Sequence, residues 1–249
     1  MPSIRARSRT RVPGRPHVPD AASINPLTVV AWPHAWWTSG PRMAALGLAD
    51  AASVATLPDE IGNWDMTAAG AAQPTWQASD ALFNGRPSIL CDNTDDRLRY
   101  AAASLPQPYS MVAIFKYNTV DASSRLFGNC NINTAGGIGI TATNKWVFSA
   151  VTNLVSTGDA DTAAHLLRGY ANTTSGALAL DGTTLATGTT GATNLAAISA
   201  GVDAHTTPAN WADGRFVFLG VYSGDVSTDL GWPQFKAWAK AFYGITTIV

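Results

Sequence analysis

The sequence contains little charge and almost no glutamate. Asp, Glu, Lys and Arg together make up 13% of the 249 residues, about half the share found in an average soluble domain. Glutamate occurs only at Glu60, and lysine only at Lys116, Lys145, Lys236 and Lys240. Because these helix formers are scarce while threonine, glycine and tryptophan are common, the composition disfavours a helical protein and predicts strands joined by turns.

Cysteine and long apolar runs are also scarce. The two cysteines, Cys91 and Cys130, are too few for a disulfide framework and lack the spacing of a metal motif, so we expect two small buried side chains. No apolar run approaches the ~18 residues that a membrane-spanning helix needs. The positively charged start is not followed by the apolar core of a secretory signal. These absences disfavour a disulfide scaffold, a membrane span and a secretory signal.

Positive charge is concentrated in an arm at the start of the sequence, residues 1–26. The stretch "RARSRTRVPGR" (5–15) contains no acidic residue, and five prolines in residues 1–26 disfavour regular structure. Residues 1–20 carry a net charge of +4, while residues 21–249 carry −5. The arginines of the arm are Arg5, Arg7, Arg9, Arg11 and Arg15.

The expected partner of these five arginines is another protein. Arginines at alternate positions of an extended chain point the same way, and their planar guanidinium groups suit carboxylates. Nucleic acid is the alternative, because such an arm neutralises several phosphates. The remaining chain is net acidic and shows no basic face, which disfavours that alternative.

Residues 27–249 read as one all-β domain. About ten short apolar or alternating runs are separated by turn residues, a pattern typical of a sandwich. In "YSMVAIFKY" (109–117), Met111, Ala113 and Phe115 fall on one face. In "GALALDGTTLATGTT" (176–190), Asp181-Gly182 predicts a hairpin turn.

Other segments are predicted to be loops, and one is predicted to be a helix. "PHAWWTSGPRM" (33–43) is rich in turn formers, and residues 57–79 read as loop and turn. Near the end, Phe235, Trp238, Ala239 and Phe242 have helical spacing, with Pro233 near the start and Gly244 just past the end.

Several motifs occur in an order that resembles one family of domains. They are "LPDEIGNWDMT", "FNGRPSILCDNTDDRL", "PYSMVAIFK", "LALDGTTLATGTTG", "GRFVFLGVYSGDVS" and "FKAWAKAFYGI". Residues 27–249 thus resemble the LamG-like, concanavalin A-like jelly rolls of bacteriophage and bacterial surface proteins. Two features depart from the family pattern: "RFVFLGVYS" lacks the usual glutamate, and "CDN" replaces the usual glycine-containing turn.

The resemblance implies a jelly-roll β-sandwich that serves as a binding or structural module. This architecture also carries lectins and hydrolases, so a site needs its own argument. Hydrolases need paired carboxylates, and Asp159 and Asp161 have the alternate spacing of a strand. Their context, "STGDADTAA", predicts a solvated loop rather than a desolvated cleft.

No other catalytic pattern emerges from the sequence. His34, His165 and His205 are scattered and are expected to be structural or exposed, and no G-x-S-x-G motif is present. We therefore expect no catalytic residue, no cofactor and no enzymatic activity.

The acidic stretch "DNTDD" (92–96) offers hard oxygen ligands in a bent loop. Asp92, Asp95 and Asp96 are candidates for calcium, which takes six to eight oxygens. The competing interpretation is a tight turn in which Asx side chains bond their own backbone. We favour the turn and predict no metal site.

Tryptophans supply the candidate carbohydrate site. Seven tryptophans lie in or near predicted loops: Trp32, Trp36, Trp37, Trp64, Trp76, Trp211 and Trp232. Three of them, Trp32, Trp36 and Trp37, lie close together in "WPHAWW" (32–37). Aromatic rings combine apolar area with a polar handle and form platforms for sugars. The competing interpretation is that these rings belong to the core.

The function predicted from these observations is a bacteriophage virion structural protein. We expect a minor tail protein, anchored to other virion proteins by residues 1–26 and displaying the jelly roll outward, in several copies per particle. Host-surface glycan is the second partner considered. A capsid decoration protein is the alternative in the same class. A bacterial polysaccharide-binding module or glycoside hydrolase is the alternative of another class.

Overall fold

The computed structural model describes residues 33–38, 41–62, 64–120, 124–128, 137–201 and 211–249. Several predicted features lie outside the described residues: the arm at 1–26 with its five arginines, Trp32, Cys130 and His205.

Sixteen strands are present in the described part of the chain. In chain order they are β1 (Pro33–Thr38), β2 (Thr56–Leu57), β3 (Met66–Thr67), β4 (Thr75–Asp80), β5 (Arg86–Asp92), β6 (Leu98–Tyr100), β7 (Tyr109–Tyr117), β8 (Arg125–Gly128), β9 (Gly137–Ile140), β10 (Lys145–Ser149), β11 (Leu154–Asp159), β12 (Ala164–Ala171), β13 (Gly176–Leu180), β14 (Thr183–Gly188), β15 (Ile198–Ala200) and β16 (Asp213–Ser223).

Helices are few and short in the same residues. The α-helices are Pro41–Ala44 and a terminal helix, Trp232–Tyr243, and the 3₁₀ turns are Gly70–Ala72, Ala81–Phe83 and Val226–Thr228. None of the described helices is long and apolar enough to cross a membrane.

The strands form two antiparallel sheets. Sheet 1 has the order β14-β13-β12-β7-β16-β5-β4, and β1 also pairs with β16. Sheet 2 has the order β11-β10-β9-β8-β15-β6-β3-β2. The predicted all-β sandwich with a short helix near the end of the sequence is therefore confirmed.

The strand β7 shows why two separate cores form. Met111, Ala113 and Phe115 share one face, as predicted, and enter the core between the two sheets. Val112 and Ile114 lie on the opposite face, in a second core beneath the terminal helix. A strand that is buried on both faces needs apolar residues at successive positions, which explains its near-continuous apolar run.

The terminal helix covers the outer face of sheet 1. Phe235, Trp238 and Ala239 are buried, as their spacing predicts. Tyr243 is also buried, while Phe242, the fourth residue with the predicted spacing, is only partly buried. Gly244 ends the helix with a left-handed φ of 73°, which glycine adopts without steric cost.

Two segments predicted to be turns are strands instead. Residues Pro33–Thr38 pair with β16, with Trp37 opposite Leu219. Within the predicted loop 57–79, β4 pairs with β5, and Trp76 lies opposite Ile89. The local sequence of both segments is rich in turn formers, but pairing with distant apolar strands determines their conformation.

The Asp181-Gly182 hairpin is present as predicted. Leu180 pairs with Thr183 across a two-residue turn. Asp181 and Gly182 have φ values of 53° and 95°, which matches the mirror-image turns that suit the twist of paired strands. The main-chain N–H of Val249 donates to Asp181 O at 2.9 Å, and Gly182 lies beside Lys236 of the terminal helix.

Candidate functional site

A pocket of about 340 Å³ lies at the edge of sheet 1, between the β13–β14 hairpin and the first turn of the terminal helix. We call it the helix-edge pocket. Its volume falls at the lower end of the range for small-molecule sites. Its lining residues are Leu166, Arg168, Ala179, Gly182, Thr184, Ser227, Trp232, Pro233 and Lys236.

The floor of the pocket follows from strand register. Arg168 lies opposite Ala179 on β13, and Ala179 lies opposite Thr184 on β14. Side chains that are opposite in neighbouring strands share a face, so these three form a row on the outer face. Because Ala179 is small, it leaves space between the arginine and the threonine.

Arg168 is buried, with its side chain 7% exposed, and forms an ion pair through Nη1 with Asp225 Oδ1. Burial lowers the pKa of the Arg168 guanidinium, and the Asp225 carboxylate opposes that effect. A buried charge requires such a partner. Asp225 also accepts the N–H of Ser227 at 3.0 Å and its hydroxyl at 2.7 Å. The ion pair therefore fixes the 3₁₀ turn that supplies Ser227 to the pocket.

The helical wall of the pocket combines an indole with a second cation. Trp232 stacks on Phe235 with ring centroids 5.3 Å apart and an interplanar angle of 12°. Lys236 follows one turn later and donates to Val249 O at 2.6 Å. Gly182 completes the rim: a Cβ there would lie 2.8 Å from Val249 O and 2.9 Å from Lys236 Nζ. Only glycine fits this position without displacement.

A second polar cluster surrounds His165 on the inner face of the same strand. His165 Nδ1 lies 2.6 Å from Asp181 Oδ2, and Nε2 lies 2.8 Å from Asp161 Oδ1. Its ring contacts Trp146 edge-on at 5.4 Å. Burial opposes the imidazolium, but the hydrogen bonds to both carboxylates outweigh it, so the pKa of His165 is raised. His165 is structural, as the sequence suggested.

The carboxylates considered for catalysis do not face each other across a cleft. Asp159 lies at the end of β11, where the sequence predicted a loop, and pairs with Lys145. Asp161 pairs with His165. Burial alone would raise the pKa of Asp161, but hydrogen bonds from His165 and the Ala163 N–H lower it. Glycosidic general acids need a raised pKa, and this arrangement supplies the opposite.

The loop 92–96 brings three carboxylates together. One oxygen from each of Asp92, Asp95 and Asp96 lies within 4.8 Å of the others. Asp96 Oδ2 accepts the Asp92 N–H, and Asp92 Oδ1 accepts the Thr94 N–H, both at 2.9 Å. These bonds match the predicted Asx turn. The absence of a metal at this loop stays a prediction.

The predicted tryptophan platform is not available at Trp36 and Trp37. Side chains alternate along β1, so Trp37 enters the core between the sheets and Trp36 the core under the helix. Trp37 is fully buried and donates Nε1 to Trp64 O at 2.9 Å. Trp36 is 6% exposed and packs against Phe218 at 5.8 Å. Neither ring offers a free face for stacking on a sugar.

Sequence analysis did not single out the pocket residues Arg168 and Lys236, and it named Trp232 only as one of seven tryptophans in or near loops. One signal was present: Arg168 interrupts an apolar run in "AHLLRGYA", and a charge inside a buried strand requires a specific partner. The partner itself, Asp225, is 57 residues away. Its identity depends on the tertiary fold.

No family model and no curated protein matches the sequence. Solved structures do match. Domain 4 of an extracellular arabinanase from Geobacillus stearothermophilus, in complex with arabinotriose, is similar with a TM-score of 0.52 and 12% identity, covering 78% of this chain and all of that one.

For two further structures, the match covers only part of the solved chain. A Trypanosoma rangeli sialidase in complex with the inhibitor DANA has a TM-score of 0.55 at 11% identity, covering 86% of this chain and 33% of that chain. The binding domain of botulinum neurotoxin serotype C1 has a TM-score of 0.54 at 10% identity, covering 84% and 52% respectively. These similarities show that the chain has the concanavalin A-like β-sandwich fold.

Proposed function

We propose that this protein is a carbohydrate-binding module without catalytic activity, and that the helix-edge pocket is its sugar site. The observation that carries the proposal is the composition of the pocket. Pro233 supplies exposed apolar area beside Trp232, whose ring is buried, Thr184 and Ser227 supply hydroxyls, and Arg168 and Lys236 supply cationic donors. A mostly preformed cavity with a few convergent polar groups is the usual form of a small-ligand site.

The fold similarities support the same class of function. The similar arabinanase domain was solved with arabinotriose, and a botulinum neurotoxin of similar structure interacts with two ganglioside molecules. A binding role also fits the contacts of Asp159 and Asp161, since Asp159 pairs with Lys145 and Asp161 pairs with His165.

Glycan binding to the purified protein tests the proposal. We expect binding on an array of neutral and acidic glycans, and loss of that binding in Thr184→Phe, which places a ring in the pocket from an exposed position. Thr187→Phe is the matched control, because Thr187 is exposed on the same strand but does not line the pocket. Binding that is equal in both variants would place the sugar elsewhere.

The proposed biological setting is a bacteriophage virion. The sequence motifs that resemble phage jelly rolls support it, together with the arginine-rich arm. We propose a minor tail protein, with a capsid decoration protein as the alternative. Immunogold labelling of particles tests both: label at the tail supports the first, label on the capsid supports the second, and absence from purified particles contradicts both.

The alternative to a virion protein is an accessory module of a bacterial polysaccharide-degrading enzyme, because the similar arabinanase domain belongs to such an enzyme. Incubation with arabinan and related polysaccharides tests whether the protein itself hydrolyses a polysaccharide. We expect no release of reducing ends. Turnover that is abolished in a folded Asp161→Asn variant would contradict the binding-module proposal.

A further inference from the structure

The charge of the helix-edge pocket points to a particular class of sugar. Both charged residues that line it, Arg168 and Lys236, are cations, and no acidic residue lines it. The sign is opposite to that of the chain after the arm, since residues 21–249 carry a net charge of −5. Asp225 balances the charge of Arg168, so the excess positive charge at the pocket comes from Lys236, and this charge favours an anionic ligand.

Arg168 has unused hydrogen-bonding capacity. A guanidinium carries five N–H donors, and the single hydrogen bond of this group goes from Nη1 to Asp225. Within the described residues, its Nε and Nη2 atoms have no acceptor. None of the Arg168 donors is among the buried polar atoms without a partner, so the unpaired donors are open to an anionic acceptor in the pocket that Arg168 lines.

The same guanidinium is held in place before any ligand arrives. Its stem projects from β12 in the middle of sheet 1, between paired strands β7 and β13. Asp225 fixes its Nη1 edge and is itself held by two hydrogen bonds from Ser227. A fixed planar fork binds a carboxylate in two parallel hydrogen bonds with little loss of side-chain entropy.

The remaining lining suits a pyranose ring attached to that carboxylate. Pro233 provides exposed apolar surface beside the buried Trp232, Thr184 provides a hydroxyl with exposed access, and Lys236 lies on the opposite wall from the strands. The cavity volume of about 340 Å³ is small for a drug-sized ligand and suits one or two sugar units.

We propose that the helix-edge pocket recognises an acidic sugar, a uronate or a sialate, with the free edge of the Arg168 guanidinium binding its carboxylate. The inference rests on the proposed carbohydrate-binding function and specifies its ligand class. Lys236 adds long-range attraction, and the exposed Pro233 supplies apolar surface for the sugar ring.

Matched sugars test the inference. Methyl glucuronide and methyl glucoside differ at C6, where one carries a carboxylate and the other a hydroxymethyl group, and sialyllactose and lactose form a second pair. Titration of the full chain, followed by calorimetry and ligand-observed NMR, should show each acidic sugar bound at least about 10-fold more tightly than its neutral partner, the effect of one charge-assisted hydrogen bond.

Variants then assign the effect to Arg168. Arg168→Lys keeps a cation beside Asp225 and so protects the fold, but it removes the planar fork; the preference for the acidic sugar should fall by about 10-fold or more. Lys236→Gln should weaken the binding of acidic sugars by a smaller factor. Thr184→Phe should abolish binding of both sugars, and Thr187→Phe should change neither. Unchanged thermal unfolding shows that each variant is folded.

The possible outcomes separate this inference from the proposed function. Preferential binding of acidic sugars that is lost in Arg168→Lys supports both. Neutral sugars bound as tightly as acidic ones, or an acidic preference unaffected by Arg168→Lys and Thr184→Phe, would overturn the acidic-sugar inference and leave a carbohydrate-binding module. Failure to bind any glycan on the array would overturn both.

Discussion

His165 Nδ1 lies 2.6 Å from Asp181 Oδ2, and the other oxygen of the same carboxylate accepts the Leu166 N–H at 2.8 Å. One side chain in the hairpin turn thus holds both the imidazole and the backbone of β12. Asp161 contacts the opposite side of the imidazole from the β11–β12 connection. His165 therefore joins the hairpin of sheet 1 to the chain that arrives from sheet 2.

This arrangement predicts that the cluster around His165 stabilises the protein most at mildly acidic pH. The pKa of His165 is raised above 6.5, so its contribution is present below pH 6.5 and is lost as pH rises through the folded value. The pKa of Asp161 is lowered below 3.8, so its contribution is present above pH 3.8 and is lost on further acidification.

Urea unfolding at pH 5.5 and pH 8.5 measures this effect. The wild-type midpoint should be lower at pH 8.5, and His165→Gln should reduce the difference between the two pH values. His34→Gln is the control, because His34 packs against Trp64 at 4.5 Å away from the cluster. An unchanged pH difference in His165→Gln would show that other groups dominate.

Asp96 is also expected to make the stability of the protein depend on pH. Burial, followed by repulsion from Asp92, raises the pKa of Asp96 from 3.8 to about 6. A raised carboxyl pKa destabilises the folded state as pH rises from about 4 to above 6. Asp96→Asn should therefore stabilise the protein at pH 8 by about 1–3 kcal/mol and have little effect near pH 4.

A neighbouring substitution measures how much of this effect comes from repulsion by Asp95, a smaller cause than burial and Asp92. Asp95→Asn removes a nearby charge but leaves the buried carboxylate, so its stabilising effect should be clearly smaller than that of Asp96→Asn. Denaturant unfolding of both variants at pH 4 and pH 8 provides the comparison. Equal effects would mean that repulsion, rather than burial, determines the ionisation of Asp96.

Gly182 and Gly224 provide a matched pair for backbone strain. Both have a positive φ, 95° and 79°, but only at Gly182 would a Cβ contact other atoms within 4 Å. Gly224→Ala should cost about 1 kcal/mol from strain alone. Gly182→Ala should cost about 1–2 kcal/mol more, since Val249 O and Lys236 Nζ must shift. Chemical denaturation measures both, and equal costs would contradict the close packing of hairpin and helix.

Deletion of residues 2–20 tests the arm. We expect a protein that remains folded, because the prolines and charges of this segment cannot support a core, but that no longer enters particles. Replacement of Arg5, Arg7, Arg9 and Arg11 by Ala should act similarly, and replacement by Lys should restore entry only in part. The measurement is the copy number per particle; normal incorporation of the truncated chain would exclude the arm as the anchor.

The elements that sequence analysis predicted correctly are those with local signals. The Asp181-Gly182 turn requires two left-handed residues in succession, and these residue types favour that geometry wherever they occur between alternating runs. The terminal helix is indicated by the spacing of its apolar residues and by Gly244 at its end. Neither prediction depends on knowing the rest of the fold.

The features that were missed depend on distant pairing. Pro33–Thr38 is a strand because β16 lies beside it, and nothing in its own turn-rich sequence indicates that neighbour. The pocket needs the row Arg168, Ala179 and Thr184 together with a helix that starts at Trp232. Strand register and helix docking bring these residues together, so no contiguous motif encodes the site.

The helix that covers sheet 1 also determines how a polymer can approach. In the described residues, Phe235 and Trp238 cover the outer face of the central strands of sheet 1, so a long polysaccharide would find no open trough on that face. If the helix-edge pocket binds sugar as proposed, we expect it to bind the end of a polysaccharide rather than its middle. Binding would then depend on the number of chain ends that a surface displays and not on the length of its polymers.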